Sequence, residues 1–234
     1  LNSNAILSYG KGGSGSVVTN EVAATDDYAL QLTTIGSGNT SIAVKTESGT
    51  TARTISWSDG ATFGYGTNAG SIDAAGNILV AGSPGNDYPG TDTEIGEGAV
   101  RVYNFETGTL LHTLFHPDGS ANNTAFGTQV STDGNKAYIY SQLSSTEGEV
   151  FIYDVSTGVL ADRIPNPSTA TLDRFGYEMS AADGRLVVST TQTPTSYIYN
   201  SGNIVVTAGT YHGIKSINTG TYLSSSDSAN VVTL

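Results

Sequence analysis

The sequence has no cysteine, which removes disulfides, thiolate metal centres and cysteine nucleophiles together. Basic residues are scarce: nine Lys and Arg stand against 21 Asp and Glu, for a formal net charge of −12. Such a surface repels phosphate backbones and anionic lipid, which argues against nucleic acid as a partner. No apolar run approaches the length of a membrane-spanning helix. No basic segment followed by an apolar stretch opens the sequence, which leaves export an open question. Tryptophan occurs once, at Trp57, so a sugar cleft built on indole stacking has little to draw on. Nucleophile elbows, phosphate-binding loops and dinucleotide fingerprints are missing too.

What is plentiful is glycine, 29 residues of 234, with Ser, Thr and Asn. Only 13% of residues are charged. This composition suits many short strands joined by many turns, and the length is ample for a buried core. An internal repeat bears this out. An aromatic-Gly bend occurs at Tyr9-Gly10, Phe63-Gly64, Phe126-Gly127 and Phe175-Gly176, with a weaker copy at His212-Gly213. The bends lie 54, 63, 49 and 37 residues apart, but the features after each keep one order. A short segment leads to a turn such as Ala75-Gly76-Asn77, Asp133-Gly134-Asn135 or Asp183-Gly184, where Gly and Asn tolerate the positive φ of a tight hairpin. An apolar strand follows ("NILVAGS", "KAYIYSQ", "RLVVSTT"), then a variable loop. The third strand and its exit turn are the clearest, in "AVRVYNFETGTLLHTL" and "EVFIYDVSTGVLADRI". One repeat is therefore four strands joined as a meander.

The second and third strands are apolar on consecutive residues, as in Ile78-Leu79-Val80-Ala81, so both faces of each sheet are expected to be buried. Four-stranded sheets stacked side by side are the blades of a β-propeller. The fold class expected is all-β, a five-bladed β-propeller of four-stranded antiparallel blades, one domain over 1–234, at roughly 47 residues per blade. The blades fall at about 17–57, 64–116, 127–166 and 176–210, with 213–234 plus 4–9 forming the fifth. The N-terminal strand, within Asn4 to Gly10, is expected to complete this last blade and remove its free edge.

The order "FG-x-x-V-x-x-D-G", apolar strand, "G-x-V-x-V-Y" resembles the FG-GAP family of propeller repeats, the type found in integrin α-chain heads and many secreted or surface proteins. Residues 62–104 carry the resemblance most fully, 125–154 and 174–191 less so. It implies a propeller fold, and in that family calcium often binds a loop with Asp at alternate positions. No D-x-D-x-D-G run exists in this sequence, so no cofactor is assigned and calcium stays only an option. The nearest candidate loop is "SPGNDYPGTDTEIGEG", with Asp87, Asp92, Glu94 and Glu97, read either as a binding loop or as a solvated acidic loop.

First strands line a propeller's channel. Aligned, they bring Glu21, Ser71, Gln129, Glu178 and Lys215 to one position, so Glu21 and Glu178 are the carboxylates a glycosidase-like enzyme would use. The alternative is a hydrated channel. Asp133 and Asp183 read as turn residues. His112 and His116 are four apart, on one strand face and roughly 13 Å from each other, too far to share a metal. His212 takes the place of the repeat's aromatic, a packing position.

The low-charge, cysteine-free composition is similar to that of phage virion proteins and bacterial surface proteins. The expectation is a non-catalytic binding or assembly propeller outside the cytoplasm, on a virion or cell surface, with a protein partner or a surface glycan. The alternatives are the glycan-active enzyme and a lectin-like sugar binder with shallow sites between blades.

Overall fold

The computed structural model describes residues 20–24, 28–35, 39–46, 48–56, 72–84, 98–119, 125–142, 148–167, 175–190, 195–200 and 203–210. They form sixteen strands, and no helix occurs among the described residues. The first sheet is β1 (Asn20–Ala24), β2 (Tyr28–Ile35), β3 (Asn39–Thr46) and β4 (Thr51–Ser56). The second is β5 (Ile72–Ala75), β6 (Ile78–Ser83), β7 (Ala99–Asn104) and β8 (Thr109–Phe115). The third is β9 (Val130–Thr132), β10 (Lys136–Gln142), β11 (Gly148–Asp154) and β12 (Leu160–Pro165). The fourth is β13 (Glu178–Ala182), β14 (Arg185–Ser189), β15 (Thr195–Asn200) and β16 (Asn203–Thr210). Each is an antiparallel meander in chain order. The expected fifth sheet, and its closure by residues 4–10, lie outside the described residues.

Consecutive apolar residues on the middle strands feed alternate seams, because strand side chains alternate in direction. Leu79 and Ala81 pack towards the first sheet with Leu30, Ile42, Val44 and Ile55. Their neighbours Ile78 and Val80 pack towards the third sheet with Ala137, Ile139, Phe151 and Tyr153. Tyr138, Tyr140, Val150 and Ile152 in turn face Leu186, Val188 and Tyr199 of the fourth. Each apolar cluster thus lies between two consecutive sheets, and neither sheet could bury it alone. The outer strand β8 is largely exposed by comparison. First strands of successive sheets touch one another in the order β1, β5, β9, β13, so the sheets succeed one another about a common axis.

The aromatic-Gly bends lock these seams. Phe126 and Phe175 are fully buried, one in the seam between the second and third sheets, the other in the next seam. The glycines after them have φ of +90° and +95°, a region side chains disfavour. Their N–H groups donate to the second strand of their own sheet, Gly127 to the Tyr140 carbonyl (3.0 Å) and Gly176 to the Ser189 carbonyl (3.1 Å). Each phenylalanine carbonyl rests on the glycine that opens the third strand of the preceding sheet. A Cβ at Gly98 would lie 2.0 Å from the Phe126 oxygen, and one at Gly148 would lie 2.3 Å from the Phe175 oxygen. The recurring "FG" and "G-x-V" are therefore two halves of one contact.

The exit turns repeat as closely. Gly108 donates to the Asn104 carbonyl and Gly158 to the Asp154 carbonyl, both at 2.8 Å. The side chains of Asn104 and Asp154 accept from the turn N–H groups of Thr107 (3.1 Å) and Ser156 (2.9 Å). Short polar side chains that cap their own turn explain why Asn or Asp stands there.

A hydrogen-bond relay joins the inner strands. The Asp73 carboxylate accepts from Ser131 Oγ (2.8 Å) and Thr132 N (2.9 Å), and Ser131 Oγ accepts from Ala181 N (2.9 Å). Three sheets are tied by two side chains. Burial pushes the Asp73 carboxyl up from its ordinary range, against the lowering pull of those donors.

Gly148→Ala tests the bend contact. The substitution forces backbone apart and is expected to cost about 1–3 kcal/mol, while Phe175→Ala should cost about 3–5 kcal/mol. Urea unfolding followed by circular dichroism reads both. Wild-type stability in Gly148→Ala would show that the seam is slack.

Candidate functional site

The meander gives the sheets two distinct ends. Turns within the first and last hairpins of each sheet open to one end. Loops between second and third strands, and the crossings between sheets, open to the other. Glu178 begins β13 at the loop end and is exposed, and its carbonyl accepts from Ser189 Oγ (3.3 Å). The loop expected to bind through Asp87, Asp92, Glu94 and Glu97 leaves at Ser83 and rejoins at Ala99, which pair, so it springs from the same end. Those four residues, with Ser71, His212 and Lys215, lie outside the described residues.

Strand register sets Glu21 and Glu178, the two residues proposed for an enzyme, at different levels of their strands. Tyr28 pairs with the last residue of β3 as Arg185 pairs with the last of β15, so Ala24↔Ala29 corresponds to Ala181↔Leu186, one pair out from the closing Ala182↔Arg185. Stepping outward, Glu178↔Ser189 corresponds to Asn20↔Leu32, and Glu21↔Gln31 corresponds to Met179↔Val188. A β-bulge between Glu21 and Ala23 causes the offset. The sequence alignment that set Glu21 level with Glu178 is corrected by one register step, since an extra strand residue leaves no signature in a short polar segment.

At the loop end of the seam between the second and third sheets lies a charged cluster. His116 is buried and meets the Phe151 ring edge-on at 4.9 Å and the Phe126 ring at 5.8 Å. Its Nδ1 accepts from Asp118 N (3.3 Å), and its Nε2 has no hydrogen-bond partner among the described residues. Burial holds the imidazole below its ordinary pKa, with Asp118 opposing and Arg163 assisting. Arg163 bridges to Asp118 (2.5 Å) and lies over the Phe151 ring at 4.9 Å. Glu149 is buried nearby, and burial pushes its carboxyl up. Among the described residues, no group of three or more His, Asp and Glu is placed to hold a metal ion. His112 is spoken for elsewhere, its Nε2 lying 2.9 Å from the Val155 carbonyl.

The turn end offers an open cleft of about 370 Å³ between the third and fourth sheets. Tyr138, Ile152, Leu186 and Tyr199 line it with Asp133, Asn135, Lys136 and Asp162. Asp133 does the turn work expected of it, accepting from Asn135 N (2.9 Å) and Lys136 N (2.8 Å). Its second oxygen also accepts from the Tyr138 hydroxyl (3.2 Å). Burial first, and Asp133 second, hold the Tyr138 phenol far above its ordinary range. Tyr199 is pushed up to about 12 by burial, so both rings stay protonated at neutral pH. Lys136 is engaged by Asp154 at 2.9 Å. Sequence reasoning missed this site, because Tyr138 and Tyr199 are 61 residues apart and on different sheets. The available signal was tyrosine recurring on middle strands, which reads equally as packing.

No family model matches the chain, and none of the curated proteins matches it. Solved structures do. The complex of KlAtg21 with the coiled-coil of AgAtg16 is similar at a TM-score of 0.50 and 13% identity, over 77% of this chain and 51% of that one. The structure of U3-55K is similar at a TM-score of 0.51 and 13% identity, over 80% of this chain and 50% of that one. These are propeller proteins, and at such identity the likeness concerns fold alone. This chain spans about half the length of each.

The buried imidazole sets a pH dependence. Its folded-state pKa is depressed, so on acidification the unfolded chain takes up the proton first. Stability from neutral His116 is complete above about pH 6.5 and is lost as pH falls below it. Glu149, with a raised pKa, acts with the opposite sign: its contribution is lost as pH rises above the usual carboxylate range. From pH 7.5 to pH 5.5 the urea midpoint should fall more for the wild type than for His116→Phe. Parallel shifts in the two proteins would remove His116 from the account.

Proposed function

We propose that this chain is a non-catalytic binding propeller that holds a protein partner within a larger extracellular assembly, on a virion or a cell surface. The observation that carries this reading is a rigid frame of seam-locked sheets with an open, polar-rimmed cleft at its turn end. Rigid frames that present variable loops suit recognition. The composition, poor in charge and free of cysteine, agrees with a virion or surface setting. The bend-and-glycine contact supports membership of the FG-GAP type of repeat. One of the similar structures is itself a complex with a coiled coil, which supports a protein rather than a small molecule as partner.

The fifth sheet expected from residues 213–234 with residues 4–9 lies outside the described residues. Asp73 and Ser131 stand at one level of their strands, each accepting from an N–H of the next inner strand. Ser180 stands at the same level of β13 and is exposed, an acceptor suited to a fifth inner strand.

Fractionation of the source material tests the reading. Mass spectrometry of purified particles and surface fractions should find the chain in stoichiometric amounts, cross-linked to a defined neighbour. A chain confined to the soluble cytoplasmic fraction as a monomer, or one that turns over members of a broad polysaccharide panel, would sink it.

A further inference from the structure

The cleft between the third and fourth sheets combines three features that bear on its ligand. Its floor is aromatic and apolar, from Tyr138, Ile152, Leu186 and Tyr199. Its rim is acidic. Asp133 and Asp162 line it, and the Lys136 ammonium beside them is bound by Asp154. The third feature is an open valence. Tyr199 is only 5% exposed, lines the cleft, and its hydroxyl makes no hydrogen bond among the described residues. The Asn135 side-chain amide, at the exposed rim, makes none among them either.

Asp162 keeps acceptor capacity. One oxygen accepts from the Arg163 backbone N–H at 2.8 Å, and no other hydrogen bond among the described residues reaches the carboxylate. A volume of about 370 Å³ is at the small end for ligand pockets, sized for one side chain and its neighbours rather than a cofactor. Tyr138 and Tyr199 are almost wholly buried, so what the floor offers is the Tyr199 hydroxyl rather than open ring faces, and with the Asp162 carboxylate at the rim this suits a cation with several donors. Guanidinium donates in a fork to a carboxylate, has further donors left for a hydroxyl, and is more weakly hydrated than an ammonium. The net charge of −12 favours a basic partner at long range as well.

We infer that this cleft receives an arginine side chain presented by the partner protein, with the guanidinium between the Tyr199 hydroxyl and the Asp162 carboxylate. This rests on the reading of the chain as a binding propeller and names the chemistry of the partner segment. The Tyr199 hydroxyl accepts one guanidinium N–H. Asp133, already holding its turn and the Tyr138 hydroxyl, keeps that ring in place and adds negative potential.

The probe is the peptide Ac-Gly-Arg-Gly-NH2, titrated into the whole chain with ¹³C-labelled tyrosine and followed by NMR. Matched peptides with Lys or Gln in place of Arg, and a panel of neutral monosaccharides, run beside it. Saturable shifts of the Tyr138 and Tyr199 signals are expected with the Arg peptide, weaker ones with Lys and none with Gln. Asp162→Asn, at an exposed position, should weaken the Arg peptide about two- to fivefold and flatten its salt dependence. Tyr199→Phe checks the hydroxyl separately and should also weaken binding. Equal response to Arg and Gln, shifts confined to other tyrosines, tyrosine shifts with sugars but not with Arg, or unchanged affinity in Asp162→Asn would each overturn the inference. If the chain is found cross-linked in its assembly while the Arg peptide fails, the cleft proposal falls and the binding-propeller reading stands.

Discussion

The carbonyl of each bend phenylalanine rests on the glycine that opens the third strand of the sheet before it, and the rest of the molecule is arranged around that contact. Backbone meets backbone, so no side chain fits between Phe126 and Gly98 or between Phe175 and Gly148. The ring of the same phenylalanine is driven into the seam, and the following glycine turns the chain into the inner strand. One two-residue motif thus sets the spacing between sheets, fills the gap and starts the next repeat. Interiors packed this tightly leave few conformations open to neighbouring groups.

The seams also decide where chemistry can occur. Between the second and third sheets the loop end is closed over His116, Glu149 and the Arg163–Asp118 pair, a cluster that is packed and charge-matched rather than open to a ligand. Between the third and fourth sheets the turn end is left ajar, because turns built on Asp133-Gly134 and Asp183-Gly184 add little bulk over Tyr138 and Tyr199. The same repeat therefore yields a buried electrostatic knot in one seam and an accessible acidic, aromatic cleft in the next. Differences of a few side chains on a common frame are how one architecture supports different recognition.

Much of the fold was legible in the sequence. Paired apolar residues in "NILVAGS" and "KAYIYSQ" announced burial on both faces, and Asp-Gly and Thr-Gly placed the hairpins. The aromatic-Gly bends marked where each repeat begins, although their glycine partners at Gly98 and Gly148 were visible only as part of a pattern. The site was far less legible. Asp133 showed its turn role but not its bond to Tyr138, and Asp162 gave no signal at all. Glu21 was set one step out of register because the bulge at Val22 is a backbone event with no side-chain signature.

What the sequence determined by itself was local and periodic: strand positions, hairpin turns, the meander within each sheet, and a surface dominated by negative charge. These depend on residues near one another along the chain, through alternation, φ preference and side-chain capping. The tertiary structure alone decided which residues meet across a seam: Asp73 with Ser131, His116 with Phe151, Tyr138 with Tyr199 around one cleft. Those meetings depend on how far one sheet is rotated and offset against the next. That offset is fixed by close contact between backbones dozens of residues apart, which no local pattern encodes.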